Sequence, residues 1–265
     1  MRSDTTRQTV TILSFIVTFA VNIAANAVPI GGKMTNVISD QFHVYVIPAG
    51  YVFAIWGLIY TLLGAYTVWQ GLGRNREDPV LRDLGWLPAL TGLFNSVWIF
   101  LFQYEVFAPS VPVIVALLLT LISIHFRLWA HRDVLRGRSY WLVRAPWAVY
   151  LGWITVATIA NIAQTLFSLG FTGFGIDPTV IAAVVLLVGL TIAATFVLRF
   201  GDAAYGWVIV WAYAGIVVKE QATPLVAGTA ALGAVVVAVL VVRAMATRRR
   251  GGATAGAPVE AAAAA

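Results

Sequence analysis

The chain has 265 residues, of which 60% are hydrophobic and only 11% are charged, and its mean hydropathy is +0.88. A soluble domain is typically about 45–50% apolar and about 25% charged, so this composition excludes an ordinary soluble protein and indicates a membrane protein. The absence of cysteine excludes disulfides, thiolate metal sites and cysteine nucleophiles.

Eight apolar stretches have roughly the length that a helix needs to cross about 30 Å of hydrocarbon. They cover approximately residues 9–29, 50–69, 86–103, 109–128, 145–166, 179–198, 203–218 and 224–243. Proline lies at or near most of the predicted starts, where its missing N–H costs nothing, and Asp177 before Pro178 is a predicted N-cap. The sequence therefore predicts an all-α, polytopic membrane helix bundle of about eight transmembrane helices, of which 203–218 is the shortest.

The basic residues are distributed unevenly among the connections between these helices. Of the seventeen, all except Lys33 and Lys219 lie at the N-terminus, at the 2–3, 4–5 and 6–7 connections or near the C-terminus. By the positive-inside rule, this bias predicts a multi-pass protein of the cell membrane with both termini in the cytoplasm. The net charge of +6 then reflects the topology of the protein, and the Arg248–Arg250 run is a topology anchor. No nucleic-acid partner is expected. Signal-peptidase cleavage after Ala25-Asn26-Ala27 is the competing hypothesis for the first stretch.

The longest connection on the opposite side, residues 30–49, joins the first two predicted helices and is too apolar to be only a tether. We interpret it as a lid over the mouth of the bundle, with Phe42, His43 and Tyr45 as its candidate contact residues. His43 is also a candidate contact for a charged group or a metal of a ligand beneath the lid, or simply a solvated loop residue. The alternative for the whole segment is an interfacial strip that rests on lipid headgroups.

Three predicted helices each carry an aromatic stripe, on which polar residues also fall. At 100° per residue, the members of each stripe lie within about 80° of one another. The stripes contain Phe53, Trp56 and Tyr60 on the second helix, Asn95, Trp98 and Phe102 on the third, and Tyr150, Trp153, Ala157 and Asn161 on the fifth. They predict either the wall of a pocket for a flat apolar ligand or ordinary helix packing, in which Asn bonds a neighbouring helix.

These three stretches resemble the motifs of the TspO/MBR family, the tryptophan-rich sensory proteins that include the mitochondrial translocator protein. The similar residues are Pro48, Gly50, Phe53, Trp56, Tyr60 and Gly64, then Asn95, Trp98 and Phe102, then Tyr150, Leu151, Trp153, Ala157, Thr158 and Asn161. The resemblance covers about residues 9–166, the five-helix unit of that family. It implies a pocket under the loop between helices 1 and 2 that binds porphyrins or other apolar ligands such as sterols. It also implies that Trp56, Asn95, Trp98, Tyr150, Trp153 and Ala157 line or brace that pocket.

The sequence divides into three parts. Residues 1–166 form the predicted TspO-like five-helix membrane domain, residues 167–246 a three-helix membrane extension, and residues 247–265 a disordered cytoplasmic tail, since the Gly- and Ala-rich end cannot build a core. The extension could cover a dimer surface or have a role of its own, and the sequence leaves a homodimer open.

The chemistry that is missing narrows the function further. No Asp, Glu, Lys or Arg lies in the middle of a predicted span, which disfavours an ion-driven transporter, and no catalytic motif is evident. We therefore expect binding, sensing or facilitated movement of a porphyrin-like or sterol-like ligand, with no catalytic residue, no metal and no required cofactor beyond a bound porphyrin or haem-type ligand. The alternatives are light- or oxygen-dependent degradation of a tetrapyrrole and an uncoupled small-molecule carrier.

Overall fold

The computed structural model of the protein describes residues 2–28 and 30–254, and within these ranges it contains eight long α-helices and no strand. The predicted all-α membrane bundle is confirmed. The long helices are α1 (Arg2–Ala27), α2 (Ile55–Gly71), α3 (Leu87–Gln103), α4 (Phe107–Ala130), α5 (Ala145–Ser168), α6 (Pro178–Phe200), α7 (Ala203–Lys219) and α8 (Pro224–Thr254).

Six of the long helices are long and apolar enough to cross a membrane, when α2 is counted together with the 3₁₀ segment Gly50–Ala54 that precedes it. The other two, α3 and α7, have 17 residues each. At 1.5 Å per residue, such a helix is about 25 Å long, slightly less than the roughly 30 Å of a typical hydrocarbon core. The short stretch predicted at 203–218 is therefore a real helix of the bundle. The protein is a multi-pass membrane protein.

Local sequence explains most helix boundaries. The side chain of Asp177 caps α6 by accepting a hydrogen bond from the backbone N–H of Thr179 at 2.8 Å, as predicted. The same helix ends at Gly201, whose φ of 58° is left-handed and suits glycine. At the C-terminus, α8 continues to Thr254, beyond residue 247 where the tail was predicted to begin; the first of these added residues, Arg248–Arg250, are good helix formers. Residues 255–265 lie outside the described residues.

Several short helical segments complete the connections between the long helices. Two α-helical segments are Thr35–Ser39 and Pro79–Leu84, three 3₁₀ segments are Gly50–Ala54, Gly73–Asn75 and Gly173–Gly175, and one π-helical segment is Tyr140–Arg144. The 3₁₀ segment Gly50–Ala54 leads directly into α2, and the π-helical segment leads directly into α5. The predicted second helix thus begins with a tighter turn than a regular α-helix.

Helix α5 is the centre of the bundle and packs against α2, α4 and α7. In its apolar part 78% of the residues are buried, whereas the share in the other five long spans lies between 28% and 39%. Neighbouring helices therefore surround α5 on most sides, which allows it to carry polar residues such as Asn161 and Gln164. Its position explains why the Tyr150, Trp153 and Asn161 stripe of α5 meets stripes from two other helices.

The three C-terminal helices form one packed group, which α7 joins to the rest of the bundle. Helix α8 packs against α6 and α7, and α7 packs against α5. At the junction the guanidinium Nη2 of Arg144 lies 3.2 Å from Oδ2 of Asp202, and both side chains are buried, with exposed fractions of 5% and 0%. The predicted extension is therefore in contact with the five-helix part through α7.

Residues 30–49 pack onto the end of the bundle that is formed by the C-terminal ends of α1, α3, α5 and α7, which we call the loop end. The short helix Thr35–Ser39 is inserted there, with Ile38 fully buried. The side chain of Gln103 on α3 donates to the hydroxyl of Thr35 at 3.3 Å, and that of Gln164 on α5 donates to the carbonyl of Ile38 at 2.9 Å. The segment is thus seated between α3 and α5.

Candidate functional site

A small cavity lies under the 30–49 segment, between α2, α3 and α5. It has a volume of about 30 Å³, which is enough for one or two water molecules. Its lining residues come from the 30–49 segment and from all three helices: Ser39, Ile47, Pro48, Phe53, Trp56, Trp98, Phe102, Trp153, Val156, Ala157, Ala160, Asn161 and Gln164. The three predicted stripes therefore converge on one space.

Five of the thirteen lining residues are aromatic, and their rings pack against one another. The ring of Trp153 lies 5.5 Å from Phe53 and 6.1 Å from Trp56, at interplanar angles of 81° and 82°. On the α3 side, Trp98 and Phe102 stack at 5.1 Å. Such contacts add roughly 0.5–1.5 kcal/mol per pair to the burial of the rings, so the wall is held in a defined shape.

Asn161 is the polar centre of the wall. Its side-chain oxygen accepts a hydrogen bond from Nε1 of Trp98 at 3.0 Å, and its amide nitrogen donates to the hydroxyl of Ser110 at 3.0 Å. Asn161 is fully buried, and the two bonds join α5 to α3 and α4. Sequence analysis did not identify Ser110, because a single serine after a proline on α4 carries no pattern that points to a partner.

Three of the predicted pocket residues lie behind the wall and do not line the cavity. Tyr60 stacks on Trp56 at 5.2 Å, and the hydroxyl of Tyr150 accepts a hydrogen bond from Nδ2 of Asn95 at 2.9 Å. Asn95 in turn accepts a bond from Nδ2 of Asn22 on α1 at 2.7 Å. These residues brace the bundle. Asn22 was missed, although an asparagine in the middle of an apolar span is itself an indication of an interhelical bond.

The predicted contact residues of the 30–49 segment do not line the cavity either. Phe42 packs against Phe107 at 6.1 Å and against Phe167 at 5.5 Å. His43 has a side chain that is 62% exposed, and its ring lies 4.6 Å from the ring of Tyr45. The segment reaches the cavity through Ser39, Ile47 and Pro48 instead, because its short helix turns Ser39 inward.

Two features describe the chemistry that the cavity offers. Its lining residues include no Asp, Glu, His, Lys or Arg, so this wall supplies no general acid or base. Trp153 lines it with an exposed fraction of only 2%, and among the described residues its Nε1 has no hydrogen-bond partner. Among the described residues, no group of three or more His, Asp or Glu side chains has the arrangement of a metal site.

Comparison with known proteins identifies the family. A family model described as TSPO-like protein matches residues 8–243. The matched range includes α6, α7 and α8, so it extends beyond the five helices that carry the sequence motifs. Searches of curated proteins and of solved structures found no match. Because the family model covers most of the chain, including every residue that lines the cavity, the chain belongs to the TSPO-like protein family.

Proposed function

We propose that the protein binds a porphyrin-like or other apolar, sterol-like ligand in the cavity under the 30–49 segment, for sensing the ligand or for facilitating its movement. The observation that carries this proposal is the convergence of aromatic residues from α2, α3 and α5 on one space. Apolar and aromatic walls with a few placed polar groups are typical of sites for small hydrophobic molecules. Family membership is consistent with this function.

The size of the cavity sets a condition on binding. A volume of about 30 Å³ is far below the roughly 300–1,000 Å³ of typical ligand pockets. A flat ligand therefore enters only if the 30–49 segment or the half-buried rings of Phe53 and Trp56 move aside. In this proposal Trp56 and Phe53 adapt to the ligand, while the fully bonded Asn161 and its partners stay in place.

The same wall favours binding over catalysis. Degradation of a tetrapyrrole would need proton transfers, and the lining residues Asn161, Gln164 and Ser39 are polar without being acids or bases near neutral pH. We propose that any porphyrin is a ligand and not a cofactor for chemistry by the protein. Turnover of protoporphyrin IX by the purified protein in light would support the enzymatic alternative.

The location proposed for this activity is the cell membrane, with both chain termini in the cytoplasm. It rests on the bias of basic residues: Lys33 and Lys219 belong to the connections at the loop end, and all fifteen arginines belong to the other connections and the termini. In this orientation the 30–49 segment and the cavity under it face the outside of the cell.

Filling the cavity is expected to weaken ligand binding selectively. Ala157→Leu places three more carbon atoms in the cavity lining, and steric exclusion worth about 1–3 kcal/mol corresponds to a roughly ten-fold or larger rise in Kd. The measurement is a titration of the purified protein with protoporphyrin IX, followed by quenching of tryptophan fluorescence.

The matched control is Ala65→Leu, which makes the same change on the exposed surface of α2. Porphyrin partitions into detergent equally in both titrations, so the ratio of the two Kd values measures the effect of filling the cavity. Equal Kd values for the two variants, with both proteins folded, would refute the cavity as the ligand site.

A further inference from the structure

Helix α7 is in direct contact with the chain segment that closes the cavity. The backbone N–H of Ala49 donates to the carbonyl of Gly215 at 3.2 Å, and Nε1 of Trp211 donates to the carbonyl of Val52 at 3.1 Å. A Cβ atom on Gly215 would overlap the side chain of Val52 and would lie 3.1 Å from Pro48. Only glycine allows this close approach, so residue 215 determines where Pro48 and Val52 sit.

One ion pair and one contact between a histidine and a carboxylate extend this contact to the middle of the 30–49 segment. The ammonium group of Lys219 pairs with the carboxylate of Asp40, and Oε2 of Glu220 lies 3.6 Å from Nε2 of His43. The Glu220 side chain is only 2% exposed, and among the described residues its Oε1 has no hydrogen-bond partner. Burying a carboxylate is costly, so the contact with His43 contributes to holding the segment on α7.

The residues that α7 holds are neighbours of residues that line the cavity. Asp40 follows Ser39, Ala49 follows Pro48, and Val52 precedes Phe53, and Ser39, Pro48 and Phe53 all contact the cavity. An open hollow of about 490 Å³ lies on the outer side, lined by Asp40, His43, Lys219 and their neighbours. The end of α7 therefore stands beside the chain segment that separates this hollow from the cavity.

We propose that Gly215 and Lys219 on α7 and Glu220 just after it are positioning residues that hold the 30–49 segment over the cavity and thereby set access to it. This assigns a role to the C-terminal helices, because α6 and α8 hold α7 in place against α5. The importance of this contact for ligand entry rests on the proposed function, but closure of the 30–49 segment is a property of the protein alone. It can therefore be measured without a ligand.

The test uses the absence of cysteine from the chain. A single Ser39→Cys substitution places a thiol in the cavity wall at a position that is 4% exposed, and a charged, water-soluble maleimide reaches it only when the segment opens. In this background, Lys219→Glu replaces attraction to Asp40 by repulsion and is expected to raise the labelling rate about five- to ten-fold. Adding Asp40→Lys restores an ion pair of reversed sign and should return the rate most of the way to that of Ser39→Cys alone.

Two controls separate positioning by α7 from general loosening. Lys33 pairs with Glu105 at 2.6 Å and ties the same segment to the α3–α4 turn, so Lys33→Glu is a matched charge reversal away from α7. We expect it to change the Ser39→Cys rate less than about two-fold, since this pair is exposed and contributes little. Met34→Cys, at a position that is 48% exposed, should label equally fast in every variant.

The outcomes are distinct from those of the porphyrin titration. A faster Ser39→Cys rate in Lys219→Glu that is rescued by Asp40→Lys supports the proposal, whether or not protoporphyrin IX binds. An unchanged rate, an equal rise in Lys33→Glu, or a failure of the rescue in folded protein would overturn it. Gly215→Val should accelerate labelling as well, because it displaces Pro48 and Val52, and unchanged labelling in that folded variant would also count against the proposal.

Discussion

Asp202→Ala is expected to lower the free energy of unfolding by about 3–5 kcal/mol, because it leaves the buried guanidinium of Arg144 without its counter-charge. The pair is 3.2 Å apart, and the two side chains are 5% and 0% exposed. Arg144 would keep its contacts with the rings of Trp129 and Tyr140, at 5.1 Å and 5.9 Å. The measurement is unfolding in detergent, followed by circular dichroism.

A double variant gives this prediction its control. Arg144→Met/Asp202→Leu removes both charges and keeps apolar volume, so it should be much more stable than Asp202→Ala. The pair joins the π-helical segment before α5 to the start of α7, so its loss also loosens the attachment of the C-terminal helices. If Asp202→Ala unfolds like the parent protein, then the pair contributes little to this junction, and α7 is held by apolar packing alone.

The second large effect is expected from the buried tryptophans of the cavity wall. Trp98→Ala and Trp153→Ala should each cost about 3–5 kcal/mol of stability, because both rings are nearly fully buried, with exposed fractions of 4% and 2%. Loss of porphyrin binding in these variants would therefore not distinguish a lost contact from a lost fold. Phenylalanine substitutions at the same two positions keep an aromatic ring and are the informative variants.

The two phenylalanine variants should differ from each other. Nε1 of Trp98 donates to Asn161 at 3.0 Å, whereas Nε1 of Trp153 has no partner among the residues that the structure describes. Trp98→Phe is therefore expected to cost about 0.6–1.5 kcal/mol more than Trp153→Phe, the net value of one interhelical hydrogen bond. Unfolding in detergent with the parent protein alongside measures this difference. Equal stabilities would mean that the bond to Asn161 contributes nothing net.

Measurements of stability and of binding together distinguish the wall residues that hold the helices together from those that contact a ligand. The Trp98–Asn161–Ser110 group is buried and joins three helices, so we assign it to the framework. Ala157 and the half-buried Trp56 are the positions at which a change should alter Kd more than stability. A porphyrin titration of Trp56→Phe would extend the comparison made with Ala157→Leu.

Much of the fold follows from composition and local pattern. The apolar stretches predicted the eight long helices, because helix length is set by the thickness of the hydrocarbon and ends where polar residues and prolines interrupt. Periodicity also placed Trp56, Trp98 and Trp153 on their stripes, since the direction of a side chain around a helix depends only on its position in the sequence. The motifs on these stripes indicated the family that the chain belongs to.

The sequence by itself determined that this is a helical membrane protein of a TSPO-like family with aromatic faces on three helices. Only the tertiary structure decided which faces meet, that α5 is central, and that Tyr60, Asn95 and Tyr150 stand behind the cavity wall. It also decided that Gly215, Lys219 and Glu220, at the end of α7, contact the 30–49 segment. The physical reason is that periodicity describes one helix at a time, whereas the contact between residue 40 and residue 219 depends on how distant helices pack.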